Sequence, residues 1–268
     1  MIKKLSNGVE IPMIGYGTFK IPNDQADEAV KLAINVGYRH IDTAAIYRNE
    51  AGVGKGIKDS RVAREDIFLT TKCWNDDQGY KKALDAFEQS CRRLQTDYID
   101  LYLIHWPKPQ NSETWKAFEE LYMKGRIRAI GVSNFHQHHL QELMKTAKIK
   151  PMVNQIEYTP RLTQTSLKEY LMKEGVAMES WSPLMKGKIS DIPLLHALSA
   201  KYKKTIAQIV IRWNIDTDVI VIPKSVTESR IKENFDIFDF QLNQEDIEAI
   251  NKLNLNHRTG PDPDSFDF

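Results

Sequence analysis

Four reactive side chains lie where apolar segments end. Successive apolar runs end at Asp42, Lys72 and His105, and Tyr47 follows five residues after Asp42. An ammonium beside a phenol stabilises the phenolate and lowers a pKa of about 10, while a carboxylate keeps the ammonium charged. Such a tyrosine can protonate a developing alkoxide, and a neutral histidine can hydrogen-bond the same oxygen. This set predicts carbonyl reduction, and because no side chain supplies hydride, it also predicts a nicotinamide cofactor.

Each of the four residues also has a purely structural explanation. Asp42 could cap a turn, and Lys72 could extend to water from a strand end. His105 could be a hydrogen-bonded core residue, and Tyr47 could serve in packing. Their common position at strand ends favours chemistry. An alternative enzyme would be a barrel aldolase or isomerase with Lys72 as the Schiff-base nucleophile.

The hydrophobic pattern predicts the elements that position these residues. Nearly continuous apolar runs, typical of strands buried on both faces, alternate with segments of helical periodicity. The predicted strands are residues 38–43, 67–72, 98–105, 127–133, 152–157, 176–181, 219–223 and, as the weakest, 235–240. The predicted helices are 24–36, 49–58, 79–94, 113–124, 136–146, 162–173, 193–202, 206–213, 228–234 and 244–253. This alternation over 268 residues predicts a single α/β domain, residues 1–268, folded as a (β/α)8 TIM barrel.

The first 20 residues precede this repeat. Residues 2–5 and 10–13 flank Ser6-Asn7-Gly8, which predicts an N-terminal β-hairpin that plugs one end of the barrel. Residues 15–19 are predicted as a loop. A doubly wound open sheet is the alternative fold, and it requires a glycine-rich turn directly after its first strand. The glycine cluster at 52–56 does not follow a strand, so we interpret it as close helix packing.

Composition narrows the class of protein. The formal net charge of +1 shows no basic excess for nucleic acid, and no apolar run is long enough to span a bilayer. The amino terminus lacks a signal-peptide pattern, and two cysteines are too few for a disulfide framework. We therefore expect a cytoplasmic protein that binds neither nucleic acid nor membrane. We also expect it to be a monomer.

Two further features suggest sites without establishing them. His136, His138 and His139 cluster, but a metal site would also require carboxylate or cysteine partners within range, so we interpret them as a surface helix start and predict no metal site. Cys73 adjoins Lys72 and is interpreted as a packing residue with some redox sensitivity.

Seven motifs occur in a fixed order along the chain. They are residues 37–44 (GYRHIDTA) with Tyr47, 69–72 (LTTK), 97–107 (DYIDLYLIHWP), 130–135 (IGVSNF), 153–155 (VNQ), 181–184 (WSPL) and 221–225 (VIPKS). In order and spacing the sequence resembles the aldo-keto reductase family over nearly its whole length. The resemblance implies a catalytic tetrad in which Tyr47 donates the proton, Lys72 and Asp42 tune it, and His105 orients the carbonyl.

The resemblance also implies where the cofactor binds. The nicotinamide carboxamide would meet Ser133, Asn134 and Gln155, and the ring would stack on Trp181, where many members of the family have tyrosine. Cations and a hydroxyl near a 2′-phosphate favour NADPH over NADH. The remaining predicted cofactor residues are Ser182, Leu184, Lys224, Ser225, Arg230, Glu233 and Asn234.

Substrate selection is expected at the rim of the pocket. By resemblance, Phe19, Trp74 and Trp106 join His105 in contacting the substrate. The short loop after Trp181 is similar to compact bacterial members such as 2,5-diketo-D-gluconate and glyoxal or methylglyoxal reductases. This implies small carbonyls, α-ketoaldehydes or keto sugars as substrates. An alternative from another class is a cofactor-sensing regulatory subunit, like the potassium-channel β subunits that resemble this family.

Overall fold

A parallel sheet of eight strands forms the centre of the computed structural model, which describes residues 1–266. Two strands form the amino-terminal hairpin, β1 (Ile2–Lys4) and β2 (Glu10–Pro12). The barrel strands are β3 (Tyr16–Gly17), β4 (His40–Asp42), β5 (Phe68–Cys73), β6 (Ile99–Ile104), β7 (Ile127–Ser133), β8 (Val153–Glu157), β9 (Ala177–Trp181) and β10 (Ile220–Ile222). They pair in sequence order, so each crossover leads to the neighbouring strand.

Hydrogen bonds between residues 13–17, around the first barrel strand, and residues 221–223, around the last, close the barrel. Gly15 N donates to Val221 O at 2.8 Å, and Val221 N donates to Met13 O at 2.9 Å. Farther along, Gly17 N donates to Pro223 O at 3.1 Å. The predicted (β/α)8 barrel is thereby confirmed, and the open-sheet alternative is wrong.

Helices follow the strands around the barrel. They are α1 (Asn23–Val36), α2 (Glu50–Asp59), α3 (Tyr80–Leu94), α4 (Asn111–Met123), α5 (Gln137–Met144), α6 (Thr165–Glu174), α7 (Pro193–Tyr202), α8 (Ile206–Asp216), α9 (Glu228–Phe235) and α10 (Gln244–Asn251). The start of α8 follows from local chemistry: Thr205 caps the helix by accepting from Gln208 N at 3.3 Å, and the Gln208 side chain accepts from Thr205 N at 2.9 Å. Within residues 1–266, none of these helices combines the length and apolarity of a membrane span.

The glycines of α2 allow other helices to approach closely. A Cβ added at Gly52 would lie 2.3 Å from Asn23 O, and one at Gly54 would lie 2.5 Å from Leu94 O. The cluster at 52–56 therefore packs α2 against α1 and α3, which confirms its helical interpretation.

The predicted strand at 235–240 is wrong. Side chains of α8 satisfy its carbonyl groups, because Gln208 Nε2 donates to Asp236 O at 2.6 Å and Arg212 Nη1 donates to Ile237 O at 3.3 Å. With these partners the segment needs no neighbouring strand.

The strand that completes the set of eight is β3, which comes first among the barrel strands. It lies in the segment 15–19, which was expected to be a loop. A strand of two residues, one of them glycine, is too short to produce a hydrophobic pattern. Asp42, Lys72 and His105 therefore lie at the carboxyl ends of the second, third and fourth barrel strands instead of the first three.

The hairpin covers the amino-terminal end of the barrel, as predicted. Lys3 forms an ion pair with Asp218, just before β10. Asn7 Nδ2 donates to Arg128 O at 2.9 Å, near the start of β7. Ile11 of β2 is fully buried. The opposite end, where the strands finish, is therefore the end that carries the candidate site.

Candidate active site

Three of the predicted reactive residues lie at the carboxyl ends of neighbouring strands. Asp42 ends β4, Lys72 lies one residue before the end of β5, and His105 directly follows β6. Because the strands of a barrel all finish on the same face, their side chains converge. The three residues are buried, with 2%, 0% and 7% of their surfaces exposed.

Asp42 and Lys72 form a buried ion pair. Lys72 Nζ lies 2.7 Å from Asp42 Oδ1 and 2.8 Å from Oδ2, and it donates to Thr43 O at 2.9 Å. Burial acts to lower the pKa of Lys72, but the Asp42 carboxylate, together with Tyr47 and Glu179, outweighs burial and the pKa is raised. The Lys72 side chain is therefore a positively charged ammonium paired with Asp42. A Schiff-base nucleophile needs a neutral amine, so this environment disfavours the aldolase or isomerase alternative.

Tyr47 lies beside this pair at the end of a 3-10 helix, Ala45–Tyr47. Lys72 Nζ is 5.1 Å from its ring centroid, and the ring of His105 is 5.7 Å away, edge to face. The Tyr47 ring also packs against Phe19 at 5.0 Å. Asn49 holds the Phe19 loop in place by donating to Thr18 O at 2.9 Å. The structure thus brings the four reactive residues together.

The pKa of Tyr47 is raised, whereas the sequence analysis expected the Lys72 ammonium to lower it. Burial raises the pKa above 10, and the Asp42 carboxylate raises it further, while the Lys72 ammonium lowers it. The lysine acts in the expected direction, but the balance is upward. Tyr47 therefore keeps its proton at neutral pH, as a proton donor must.

His105 is a neutral imidazole. Burial, together with the charge of Lys72, holds the pKa of His105 well below its usual value of 6.5. The edge of the ring contacts Trp74 at a centroid distance of 5.2 Å. A neutral ring in this position can donate a hydrogen bond to an uncharged carbonyl oxygen without carrying a second positive charge into the site.

Polar residues at the ends of β7 and β8 form the adjoining wall. Ser133 Oγ and Asn134 N both donate to Gln155 O at 2.9 Å. Asn134 Nδ2 donates to His105 O at 2.9 Å, and Asn134 Oδ1 accepts from Trp181 Nε1 at 2.9 Å. These bonds fix the indole of Trp181 beside the amide groups.

Sequence reasoning missed the buried acid Glu179 on β9. Gln155 Nε2 donates to Asp42 Oδ2 at 2.7 Å and to Glu179 Oε2 at 3.0 Å, so the amide lies between two carboxyl groups. His40 Nε2 lies 3.5 Å from Glu179 Oε1. The sequence feature that could have revealed Glu179 is that a single acidic residue occurs inside the apolar run 176–181.

The remaining predicted cofactor residues follow the carboxyl ends of β9 and β10 or lie on α9. The Lys224 side chain is exposed to solvent. Partial desolvation of its ammonium, and then the nearby charge of Lys20, lower its pKa. Arg230 is exposed on α9, whereas Glu233 Oε1 accepts from Thr205 Oγ1 at 2.8 Å. The other members are Ser225, which caps Thr227 N at 3.1 Å, the buried Asn234, Ser182 with φ of 54°, and the partly buried Leu184.

Aromatic side chains form the rim. Phe19 is 52% exposed beside Tyr47. Trp106 stacks on Phe266 of the carboxyl-terminal tail with ring centroids 3.9 Å apart. Trp74 is partly exposed. The three predicted substrate residues therefore surround Tyr47 and His105, and the tail reaches the same mouth.

Glu157 anchors that tail. Its carboxylate accepts from Thr259 N at 2.7 Å and from Gly260 N at 3.2 Å. A Cβ at Gly260 would lie 2.4 Å from Trp181 Cη2, so only glycine allows the tail to pass this close to the indole. The tail thus helps to set the position of Trp181.

The histidine cluster acquires a carboxylate that the sequence did not reveal. Asp264 lies 3.0 Å from His136 Nδ1 and from His138 Nε2. However, His136 Nε2 accepts from Arg258 at 2.8 Å, and His139 Nδ1 accepts from His136 N at 3.1 Å. A metal-binding histidine donates from its second nitrogen. These contacts favour a hydrogen-bonded cluster over a metal site.

Cys73 and Cys91 should resist thiol reagents in the native protein. Burial raises the pKa of Cys73 to about 12 and that of Cys91 to about 11. Labelling with a chromogenic disulfide at pH 8 should be at least about 100-fold slower than in denaturant, because the thiolate is the reacting form. Rapid labelling of Cys73 in the native protein would restore its interpretation as redox-sensitive.

Comparisons with known proteins agree with this architecture. The model of the aldo/keto reductase family matches residues 13–255. Glyoxal reductase of Bacillus subtilis (strain 168) is 57% identical over 267 residues, which covers 99% of this chain and 97% of the relative. Methylglyoxal reductase DkgA of Escherichia coli (strain K12) is 47% identical over 268 residues, covering 98% and 97%.

A solved structure of similar shape carries a nucleotide. The crystal structure of a Gox0644 mutant in complex with NADPH matches with a TM-score of 0.96 at 44% sequence identity. The match covers 100% of this chain and 99% of that one. The family model spans most of this chain, and the relatives align over nearly their full lengths. The chain therefore belongs to the aldo/keto reductase family of oxidoreductases.

Proposed function

We propose that this protein reduces small aldehydes and ketones to alcohols with NADPH. The observation that carries the proposal is the buried Asp42–Lys72 pair beside a protonated Tyr47 and a neutral His105. A carbonyl oxygen placed between Tyr47 and His105 would meet a proton donor and a hydrogen-bond donor on the same side. Lys72 would then stabilise the phenolate left on Tyr47.

The residues beside the tetrad fit a nicotinamide. Ser133, Asn134 and Gln155 offer both donors and acceptors for a carboxamide, and the fixed indole of Trp181 offers a flat face for the ring. When bound, NADPH supplies the hydride that no side chain can. The residues of the chain orient the carbonyl carbon, exclude water and deliver the proton.

Small dicarbonyls are the substrate class that we propose. The relatives named glyoxal reductase and methylglyoxal reductase support this class. Phe19, Trp74 and Trp106 provide an apolar rim that suits a small carbonyl body.

We further propose that residues 1–268 act as one domain, as a monomer in the cytoplasm.

The loss of reduced-nicotinamide absorbance with purified protein tests the proposal. The panel holds glyoxal, methylglyoxal, simple aldehydes and diketo sugars, each with NADPH. Turnover with the α-ketoaldehydes is expected. Binding of NADPH without turnover on any member would favour a sensing role, and failure to bind NADPH would remove the proposed cofactor.

Lys224→Ala and Arg230→Ala should each weaken the binding of NADPH by about 10- to 100-fold, since a hydrogen bond to a charged group is worth about 1.5–3 kcal/mol. The affinity for NADH should stay within about twofold of the wild-type value. The reason is that both cations are proposed to meet the 2′-phosphate, which NADH lacks. Dissociation constants from tryptophan quenching measure the effect. Lys232→Ala is the matched control, because Lys232 pairs with Glu228 at 2.6 Å. Equal weakening of both nucleotides would contradict the 2′-phosphate role.

A further inference from the structure

Glu179 is a buried acid that the proposed chemistry does not use. Its residue is 0% exposed, and it lies on β9 two positions before Trp181. Gln155 Nε2 donates to its Oε2 at 3.0 Å. Its other oxygen, Oε1, has no hydrogen-bond partner within residues 1–266. A carboxyl group in this setting is unfavourable for stability, so its presence calls for a role.

The groups around Glu179 make it a neutral acid. Burial and the nearby Asp42 carboxylate raise the pKa of Glu179 to about 8, against the opposing effects of Gln155 and Lys72. His40, 3.5 Å away, is also neutral, because burial lowers its pKa to about 3. Around neutral pH, Glu179 therefore adds no charge beside the ion pair, and its carbonyl oxygen serves as an acceptor.

The orientation of the Gln155 amide follows from its two neighbours. Asp42 Oδ2 and Glu179 Oε2 each accept from Gln155 Nε2, so both N–H groups are committed. A flipped amide would place its oxygen 2.7 Å from the Asp42 carboxylate, where two acceptors repel. The bond to Asp42 fixes which end of the Gln155 amide faces the Asp42–Lys72 pair. The second bond, to Glu179, fixes the plane of the amide.

We infer that Glu179 is a positioning residue for the nicotinamide. Together with Asp42 it holds Gln155 so that the amide presents its oxygen to the carboxamide amino group. This inference rests on the proposed function. It assigns Glu179 an effect on recognition of the carboxamide and no direct contact with substrate or cofactor.

A cofactor analogue isolates the contact in question. In reduced 3-acetylpyridine adenine dinucleotide phosphate, a methyl group replaces the carboxamide amino group and the carbonyl oxygen is kept. The analogue therefore lacks the donor that Gln155 would bind. The variants are Glu179→Leu, which keeps the volume and removes the acceptor, and Glu179→Gln, which keeps an acceptor. Tryptophan quenching gives dissociation constants for NADPH, the analogue and 2′,5′-ADP, which has no nicotinamide.

The wild-type protein should bind NADPH about five- to tenfold more tightly than the analogue, as expected for one buried hydrogen bond. In Glu179→Leu this ratio should fall to about one, because the NADPH affinity drops and the analogue is little affected. Glu179→Gln should restore the ratio. All three proteins should bind 2′,5′-ADP alike, which confirms that each is folded.

Two results would overturn the inference. One is an unchanged NADPH-to-analogue ratio in Glu179→Leu. The other is a parallel loss of NADPH, analogue and 2′,5′-ADP, which would mean that Glu179 serves only the barrel core. Failure of the proposed function looks different, because the wild-type protein itself would then not bind NADPH.

Discussion

Tyr47→Phe is expected to bind NADPH like the wild type and to lose carbonyl reduction by about 10²- to 10⁴-fold, the usual contribution of a positioned proton donor. The substitution removes one hydroxyl and keeps the ring that packs against Phe19 and His105. The raised pKa of Tyr47 means that the wild-type residue carries its proton at neutral pH. The rate of NADPH oxidation with methylglyoxal, beside the NADPH dissociation constant, separates chemistry from binding.

A surface tyrosine provides the matched control for this substitution. Tyr80→Phe removes a hydroxyl that donates to Glu120 on the outside of the barrel, so its rate should equal that of the wild type. If Tyr47→Phe stayed active, the tetrad assignment would be wrong. If it lost NADPH binding to the same extent as its rate, the hydroxyl would belong to the cofactor site instead.

Lys72→Met should both destabilise the protein and abolish reduction. Removing one partner from a buried ion pair leaves Asp42 without its counter-charge, which lowers the free energy of unfolding by about 3–5 kcal/mol. The ammonium also lowers the pKa of Tyr47, so its loss makes the phenolate harder to form. Denaturant unfolding and the NADPH oxidation rate measure the two effects.

The double variant Asp42→Asn/Lys72→Met distinguishes stability from chemistry. With both charges removed, the desolvation penalty disappears, and most of the lost stability should return. Activity should not return, because no ammonium then stabilises a phenolate on Tyr47. Recovery of activity with stability would show that the pair serves the fold alone, whereas Lys72→Met with unchanged stability would contradict the buried ion pair.

Much of the fold could be predicted because long parallel strands have a strong sequence signal. Seven barrel strands appear as nearly continuous apolar runs, so their order and their carboxyl ends followed from the pattern. The strand Tyr16–Gly17 could not be found in this way, because its two residues are held by pairing with β4 and β10. The segment 235–240 was predicted as a strand from its apolar pattern, but side chains from α8 satisfy two of its carbonyl groups, which no local pattern reveals.

The site was predictable to the extent that it sits at strand ends. Asp42, Lys72 and His105 could be grouped from position alone, and the structure places Lys72 and His105 against the ring of Tyr47. The net direction of the Tyr47 pKa could not be predicted, since it depends on how burial balances Lys72. The role that we propose for Glu179 depends on contacts among β4, β8 and β9, which no local pattern encodes. The 2′-phosphate residues still rest on resemblance.

Isotope transfer tests the central claim most directly. The protein is incubated with methylglyoxal and NADPH carrying two deuterium atoms at C4 of the nicotinamide, and the alcohol is analysed by mass spectrometry. One deuterium on the carbinol carbon is predicted, with at least about 100-fold less labelled alcohol when Tyr47→Phe replaces the wild type for the same time. An alcohol without deuterium, or no alcohol from protein that binds NADPH, would contradict hydride transfer to the carbonyl carbon.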